Sequence, residues 1–396
     1  MNQGSLTPRL RRMAWTLVRI GVTVGAIAYV LSQITWHDRV IDDGKVLEGW
    51  LHVDNGVRTL VTGAGQVVAI PPDADLADAK IRVVPGIISI FSRVKFGYFL
   101  EGTILVATSV FLGAIRWQWL LQSHELDPGL REATRLTWMG YISNNILPGA
   151  TGGDLVKAYT IARRSPGKRT SAVMTVLLDR VIGLLALIIL GAVGVAIKAS
   201  RGGIDSTGRL VLTMLAVAVV GGIVFFSRRI RVIFRISAFF DRIPLGQHFK
   251  KIDESLFHYR DHKMQLVRCV AIGLFIWFLT IAGIYLMGES IAMSVPFIDY
   301  FICLPVIFSA GAVAPSIAGL GVLEGLFQHF FGAVGAAPST AVALCLLYRL
   351  AILLISIPGA YPLYQEFSSI KPREGDSLED NLDQPLAQNQ QVEATA

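Results

Sequence analysis

Six charged residues stand inside otherwise apolar sequence: Asp154, Lys157, Asp179, Arg180, Glu324 and Arg349. A charge at the centre of a membrane-spanning helix costs roughly 2.5–3.5 kcal/mol or more, so such groups face the bundle interior and are paired. Their formal charges cancel, three acids against three bases. The spacing repeats, with Arg180 26 residues after Asp154 and Arg349 25 after Glu324. Two kinds of chemistry fit this pattern. In one, Asp–Arg and Glu–Arg pairs simply pin helices together. In the other, the arginines and Lys157 accept an anionic headgroup, and the acids hold them while the site is empty. Guanidinium matches phosphate through two parallel hydrogen bonds, which favours arginine for that task.

The acids follow two breaks in apolar sequence. The first runs from Asn144 and Asn145 through Pro148, Gly149, Gly152 and Gly153 to Asp154. The second runs from Pro315 through Gly319 and Gly321 to Glu324. Broken helices at membrane depth are tolerated only where protein or a polar cavity surrounds them. Their free amide donors would add to an anion site. Asn144 and Asn145 could contact a headgroup or cap the broken backbone; the sequence leaves both open.

Other chemistries find little support. No GxxxxGK[ST] loop is present, so ATP does not drive this chain directly. There is no HExxH and no GxSxG. Cys269, Cys303 and Cys345 lie far apart inside apolar runs, which reads as packing rather than a disulfide framework or a zinc site. His329, the one histidine in a membrane-depth segment, has no obvious ligand partner. No cofactor and no metal are expected.

The elements that must position these residues follow from composition. The 396-residue chain is 53% apolar and 16% charged, with mean hydropathy +0.54. Soluble domains carry about 25% charge, so an ordinary water-soluble enzyme is excluded. The net charge of +7 fits basic residues gathered on the cytoplasmic side of a membrane protein and does not require nucleic acid. A span needs about 20 apolar residues. The first, Met13 to Ser32, follows Arg9, Arg11 and Arg12, which places the N-terminus in the cytoplasm. Ala26, Ile27 and Ala28 resemble a signal-peptide cleavage site, but the run is long for one, and an uncleaved helix is expected. Further spans are expected at 98–122, 171–198, 210–227, 266–287 and 341–364. The stretch 136–162 is too short to cross twice, because two spans need about 40 residues, and 297–334 is apolar but broken from Pro315 to Gly321.

The expected architecture is therefore an all-α polytopic membrane protein of about six full spans and two re-entrant helical hairpins. The first hairpin opens toward the cytoplasm and the second toward the outside. Interrupted segments in corresponding, opposite-facing positions are the signature of an inverted-repeat transporter with its site near the midplane. Four parts are expected: an N-terminal helix (1–36), a β-rich extracytoplasmic insert (37–96), the main transmembrane domain (97–366) and a disordered cytoplasmic tail (367–396). Within the insert, alternating apolar residues flank Asp54-Asn55-Gly56, a hairpin turn signal, and strands are expected at 57–60 and 66–70. The loop 228–265 is basic and cytoplasmic. There Arg228, Arg231, Arg235 and Arg242 share one helical face, as in a helix lying on an anionic leaflet; a solvated linker is the alternative.

These residues resemble the transmembrane region shared by lysylphosphatidylglycerol synthases and flippase-like proteins of the UPF0104 type. The resemblance rests on Arg116-Trp117, Leu120-Leu121, Asn144-Asn145, Leu147-Pro148-Gly149, Gly152-Gly153-Asp154, Lys157, Ala158-Tyr159 and Asp179-Arg180. It continues through Pro315, Gly319, Gly321, Glu324 and Tyr348-Arg349-Leu350, covering roughly residues 97–366. The family often has Glu where Asp179 stands, which keeps the charge. Its synthases carry a large soluble C-terminal domain for lysine transfer, whereas about 30 polar residues follow the last span here. Aminoacyl transfer by this chain is therefore not expected.

The resemblance implies a flippase-like protein of the cell (plasma or inner) membrane. It would move an anionic or modified lipid, phospholipid or polyprenyl-linked, between leaflets. Membrane lipids are the expected partners. The alternatives are a membrane subunit of a lipid-modifying synthase or glycosyltransferase, and a membrane-embedded lipid-modifying enzyme.

Overall fold

A computed structural model of the chain describes residues 8–42, 45–54, 57–63, 66–70, 81–146, 152–226, 263–314 and 319–369. Pro148, Gly149, Pro315, the four arginines of the basic loop and the tail beyond Ser369 lie outside the described residues, whereas 367–369 of the expected tail close the last helix. Helix α1 (Pro8–Gln33) leads into strands β1 (Asp38–Asp42), β2 (Lys45–Asp54), β3 (Val57–Thr62), β4 (Val67–Ile70) and β5 (Ile81–Val84). Then follow α2 (Ile87–Ser92), α3 (Phe96–Gln122), α4 (Leu130–Ile146), α5 (Gly152–Arg164), α6 (Arg169–Gly202) and α7 (Ser206–Phe226). The second half contains α8 (Lys263–Ser290), α9 (Phe297–Val313), α10 (Val322–Gly332), α11 (Pro338–Ser356), a 3-10 turn (Ile357–Gly359) and α12 (Ala360–Ser369).

Four helical segments among the described residues are long and apolar enough to cross a membrane: Phe96–Gln122, Arg169–Ser200, Met264–Ser290 and Pro338–Glu366. Shorter apolar stretches are Ile20–Gln33, Ser206–Gly221 and Phe297–Val313. The last long segment is not one uniform helix. Pro358 and Gly359 sit in a 3-10 turn that divides α11 from α12. The reason is packing: a Cβ at Gly359 would lie 2.2 Å from the carbonyl oxygen of Trp138, so α4 presses directly on this turn. The Trp138 indole donates to the Ile355 carbonyl at 2.8 Å.

Without water to drive helices together, bilayer helices associate through close packing at small residues. That rule holds at two crossings here. Gly102 of α3 and Gly283 of α8 face each other; a Cβ on either would come within 2.5–2.7 Å of the other's carbonyl oxygen. Gly191 and Gly194 of α6 admit Pro305 and Phe301 of α9, with 2.8 and 2.7 Å to a notional Cβ. The main core lies between α3, α8, α9, α10 and α11, where Tyr300, Phe327 and Phe331 are fully buried.

The five strands form one antiparallel sheet in the order β4-β3-β2-β1-β5. Asp54 pairs with Val57 across the hairpin that the turn signal announces. Alternation along the strands buries Val40, Leu51, Leu60 and Ile70 on one face. Asp38 fastens the sheet to the bundle. It is fully buried and accepts hydrogen bonds from the Leu51 N–H, the Gly86 N–H and the Ser89 hydroxyl, at 2.8, 2.8 and 2.7 Å. The Ser339 hydroxyl at the start of α11 donates to the Pro85 carbonyl at 2.6 Å. The sheet therefore sits where α1 ends and where α3 and α11 begin.

The two ends of the bundle are tied separately. At the sheet end, Lys198 of α6 bridges Asp205 and Asp299 at 2.8 and 2.7 Å, joining α6 to α9. Burial pushes the Asp205 carboxyl up, but the Lys198 hydrogen bond and the Gly208 N–H outweigh it and hold its pKa below the ordinary carboxylate value. At the opposite end, Arg164 pairs with Glu132 and Glu366, and Lys168 with Glu125. Arg135 donates to the Gln365 side chain at 3.0 Å.

Candidate functional site

The helices flanking each break are short. Helices α4 and α5 have 17 and 13 residues, and α9 and α10 have 17 and 11. At about 1.5 Å per residue, none reaches the roughly 30 Å of a hydrocarbon core. The termini of α4 and α5 remote from their break, Glu132 and Arg164, meet at the end opposite the sheet. In the other pair, α9 begins near Lys198 at the sheet end, and Cys303 of α9 contacts the Phe330 carbonyl near the close of α10.

The first break is held by close backbone contact and a side-chain cap. A Cβ at Gly153 would lie 1.8 Å from the Gly140 carbonyl oxygen, so α5 enters directly against α4. The Asn144 Oδ1 accepts the Gly153 N–H at 2.7 Å, capping α5 from the other side of the gap. Asn145 turns elsewhere; its amide donates to Ser356 Oγ and to the Tyr141 carbonyl, both at 3.2 Å. Both asparagines thus bond protein, one within the first break and one toward α11.

Asp154 and Lys157, one turn apart on α5, share a helical face. Asp154 pairs with Arg180 of α6 through both carboxylate oxygens, at 2.6 Å to Nη2 and 2.6 Å to Nε. This pair is partly open, with side-chain exposures of 57% for Arg180 and 17% for Asp154. Lys157 is 6% exposed. Its ammonium rests 3.6 Å from the centroid of the buried Trp117 ring, a cation–π contact. It makes no hydrogen bond or ion pair with any described residue.

Asp179 does not pair with its neighbour Arg180, because adjacent residues on a helix diverge by about 100°. It pairs with Arg116 of α3, whose Nε donates to Oδ1 at 2.8 Å and whose Nη2 donates to the Asp179 carbonyl at 3.3 Å. The side chains are 9% and 14% exposed. Gly183 and Gly273 make room for this guanidinium; a Cβ on either would stand 3.2–3.3 Å from its nitrogens. Arg116 is the site residue that charge reasoning passed over. Its signal was present, since an arginine inside an apolar helix requires a partner. It was masked because Arg116 lies near the end of the span, where snorkelling to water is an easy alternative.

The second break repeats the arrangement. Arg349 of α11 pairs with Glu324 of α10, at 2.5 Å from Nε to Oε1 and 3.3 Å from Nη2 to Oε2. Its Nη2 also donates to the Gly319 carbonyl at 2.8 Å. Side-chain exposures are 22% and 7%. Gly319 and Gly321 have φ of +69° and +77°, a region that costs any residue with a Cβ. Gly321 also faces α1, where a Cβ would come within 2.6 Å of Ala26 and Ile27.

All six charges read from the sequence therefore sit at the two breaks. Tyr141 lies within electrostatic reach of Arg180, Asp154, Asp179 and Arg116, and Tyr348 within reach of Tyr141 and Arg349. The two clusters adjoin across these tyrosines. Among the described residues, no group of His, Cys, Asp and Glu is arranged to hold a metal ion.

The sequence over residues 84–359 matches the family model for the lysylphosphatidylglycerol synthase TM region. The chain belongs to this family. The chain is also similar to two UPF0104 membrane proteins. A UPF0104 membrane protein of Pyrococcus horikoshii is 21% identical over 290 residues, 66% of this chain and 85% of the relative. One from Methanothermobacter thermautotrophicus is 23% identical over 308 residues, 71% of this chain and 89% of the relative. The lysylphosphatidylglycerol synthase TM region as matched contains every site residue named above. It begins at the last strand, so α1 and most of the sheet lie outside it, although α1 packs against Gly321 within it.

Proposed function

We propose that this membrane protein moves an anionic lipid between leaflets through a site formed where the two breaks meet. The reading rests on one observation: each break carries an acid paired with an arginine from the next long helix, Asp154 with Arg180 and Glu324 with Arg349. The helix pairs flanking the breaks have the termini remote from those breaks at opposite ends of the bundle. On this reading they are re-entrant hairpins in an inverted repeat, and α1, α3, α6, α7, α8 and α11 are six spans. The basic end carrying Arg135, Arg164 and Lys168 is cytoplasmic, the sheet is extracytoplasmic, and the membrane is the cell membrane. The chain acts as a transporter and not as a lysine transferase. Opposed broken helices suit alternating access around a fixed midplane site. Arg180 meets the lipid headgroup, while Arg349, held by Glu324 and Gly319, keeps the second break in shape.

The test is reconstitution of the purified chain in liposomes with leaflet-specific detection of labelled lipids. Wild type is expected to redistribute an anionic phospholipid. Arg180→Ala and Arg349→Ala are expected to abolish movement, and Arg180→Lys to impair it. If both alanine variants fold and transport normally, the reading fails.

A further inference from the structure

The charges of the first break do not balance. Arg116, Lys157 and Arg180 face Asp154 and Asp179, which leaves one positive charge in excess. The excess resides on Lys157. Four of the five groups are consumed in two ion pairs, whereas the Lys157 ammonium lies on the Trp117 ring and pairs with no acid among the described residues. An ammonium 94% buried with no anion in contact among the described residues is costly, and an aromatic face offsets only part of that cost. Asp154, Asp179, Arg180 and Arg116 all lie within electrostatic reach of it. The adjacent Arg180 is the most exposed of the paired arginines at the breaks, and its ion-pair partner among the described residues is Asp154.

We infer that Lys157 and Arg180 form a subsite for one singly charged phosphodiester, and that Asp154 is its built-in competitor. The phosphate oxygens displace the Asp154 carboxylate from the Arg180 fork and take the Lys157 ammonium as their second contact. Guanidinium supplies two parallel donors and ammonium a point charge, a pairing suited to tetrahedral oxygens. One negative charge neutralises the cluster, so a diester fits where a doubly charged monoester overshoots. Asp179 takes no part in the exchange, because Arg116 holds it in a slot of glycines. Glu324 is not an equivalent competitor, since Arg349 is also fastened to the Gly319 carbonyl. The subsite deepens the transport reading, on which its role in movement rests, but binding is measurable without movement.

The experiment measures equilibrium binding to the full chain in detergent. The probes are short-chain phosphatidylglycerol, inorganic phosphate and a diacylglycerol of the same chain length. Phosphatidylglycerol is expected to bind and diacylglycerol not. Lys157→Met, which keeps an apolar stem against Trp117, is expected to weaken binding about tenfold or more, the worth of one charge-assisted hydrogen bond. Lys157→Arg is expected to retain it. Asp154→Asn is expected to tighten binding, and Glu324→Gln is not. Inorganic phosphate showing the same variant pattern would also support the subsite and identify free phosphate as a source. Equal binding of diacylglycerol would overturn the inference. So would tightening by both acid variants, or no effect of Lys157→Met. If Asp154→Asn does not fold, the contrast between Lys157→Met and Lys157→Arg decides alone. Binding that follows this pattern without lipid movement would defeat the transport reading and leave the subsite standing.

Discussion

Each buried charge at the breaks is explained by what surrounds it. Asp179 and Arg180 are sequence neighbours, yet they serve different helices because the α-helical turn sends them apart. Arg116–Asp179 is enclosed by α3, α6 and α8, so its loss strands a charge among apolar groups. Removing one partner of a buried pair costs about 3–5 kcal/mol, whereas an exposed pair contributes about 0–1 kcal/mol. Arg116→Ala is therefore expected to destabilise the folded chain far more than Arg180→Ala, measured by denaturant unfolding in detergent. Comparable losses would mean that the Arg180 pair is also structural. The six charges were legible from the sequence because each interrupts an apolar run. Their partners were legible only in part: the 26- and 25-residue spacings suggested Asp154–Arg180 and Glu324–Arg349, while nothing in spacing joined Asp179 to Arg116, 63 residues earlier.

At the scale of elements, the breaks depend on backbones approaching without side chains between them. At α4–α5 the approach is asymmetric. A Cβ on Gly153 would strike the Gly140 carbonyl oxygen at 1.8 Å, but one on Gly140 would stand 3.3 Å from the Gly153 carbonyl oxygen. Gly153→Ala is expected to force α5 away from α4, disturb the Asn144 cap and lower the melting temperature. Gly140→Ala is expected to change it much less; similar melting curves would show that the contact is not a constraint. Proline and glycine marked both breaks in the sequence, because proline removes a backbone donor and glycine permits positive φ. The turn at Pro358 carries the same marks inside a stretch, 341–364, whose composition predicts one continuous span. Its neighbours are apolar enough to pass for a span, and the pressure from Trp138 comes from 220 residues away in sequence.

For the whole molecule, two ion-pair belts at opposite ends frame the bundle. Lys168 and Glu125 belong to one belt, and the Ser339–Pro85 bond lies at the other end with the sheet. Single cysteines at Lys168 and Ala337, in a background lacking Cys269, Cys303 and Cys345, are expected to react with an impermeant thiol reagent from opposite faces of oriented vesicles. Lys168→Cys should label from the cytoplasmic side. Labelling of both from one side would remove the opposed-hairpin arrangement.

Membrane residence, the places where helices break and the presence of paired charges were determined by the sequence alone. Each is a local consequence of solvent: hydrocarbon rejects charges and unpaired amides wherever they stand along the chain. Five strands were more than two short apolar alternations announced: β5 finds its register only by pairing with β1, about 40 residues earlier in the chain. Tertiary structure alone decided that Arg116 holds Asp179, that α1 closes on Gly321 and that Lys157 is left facing an aromatic ring. These are choices among partners of similar chemistry. Packing makes them, because the glycine contacts set how closely the helices approach and so which base each of these acids can reach.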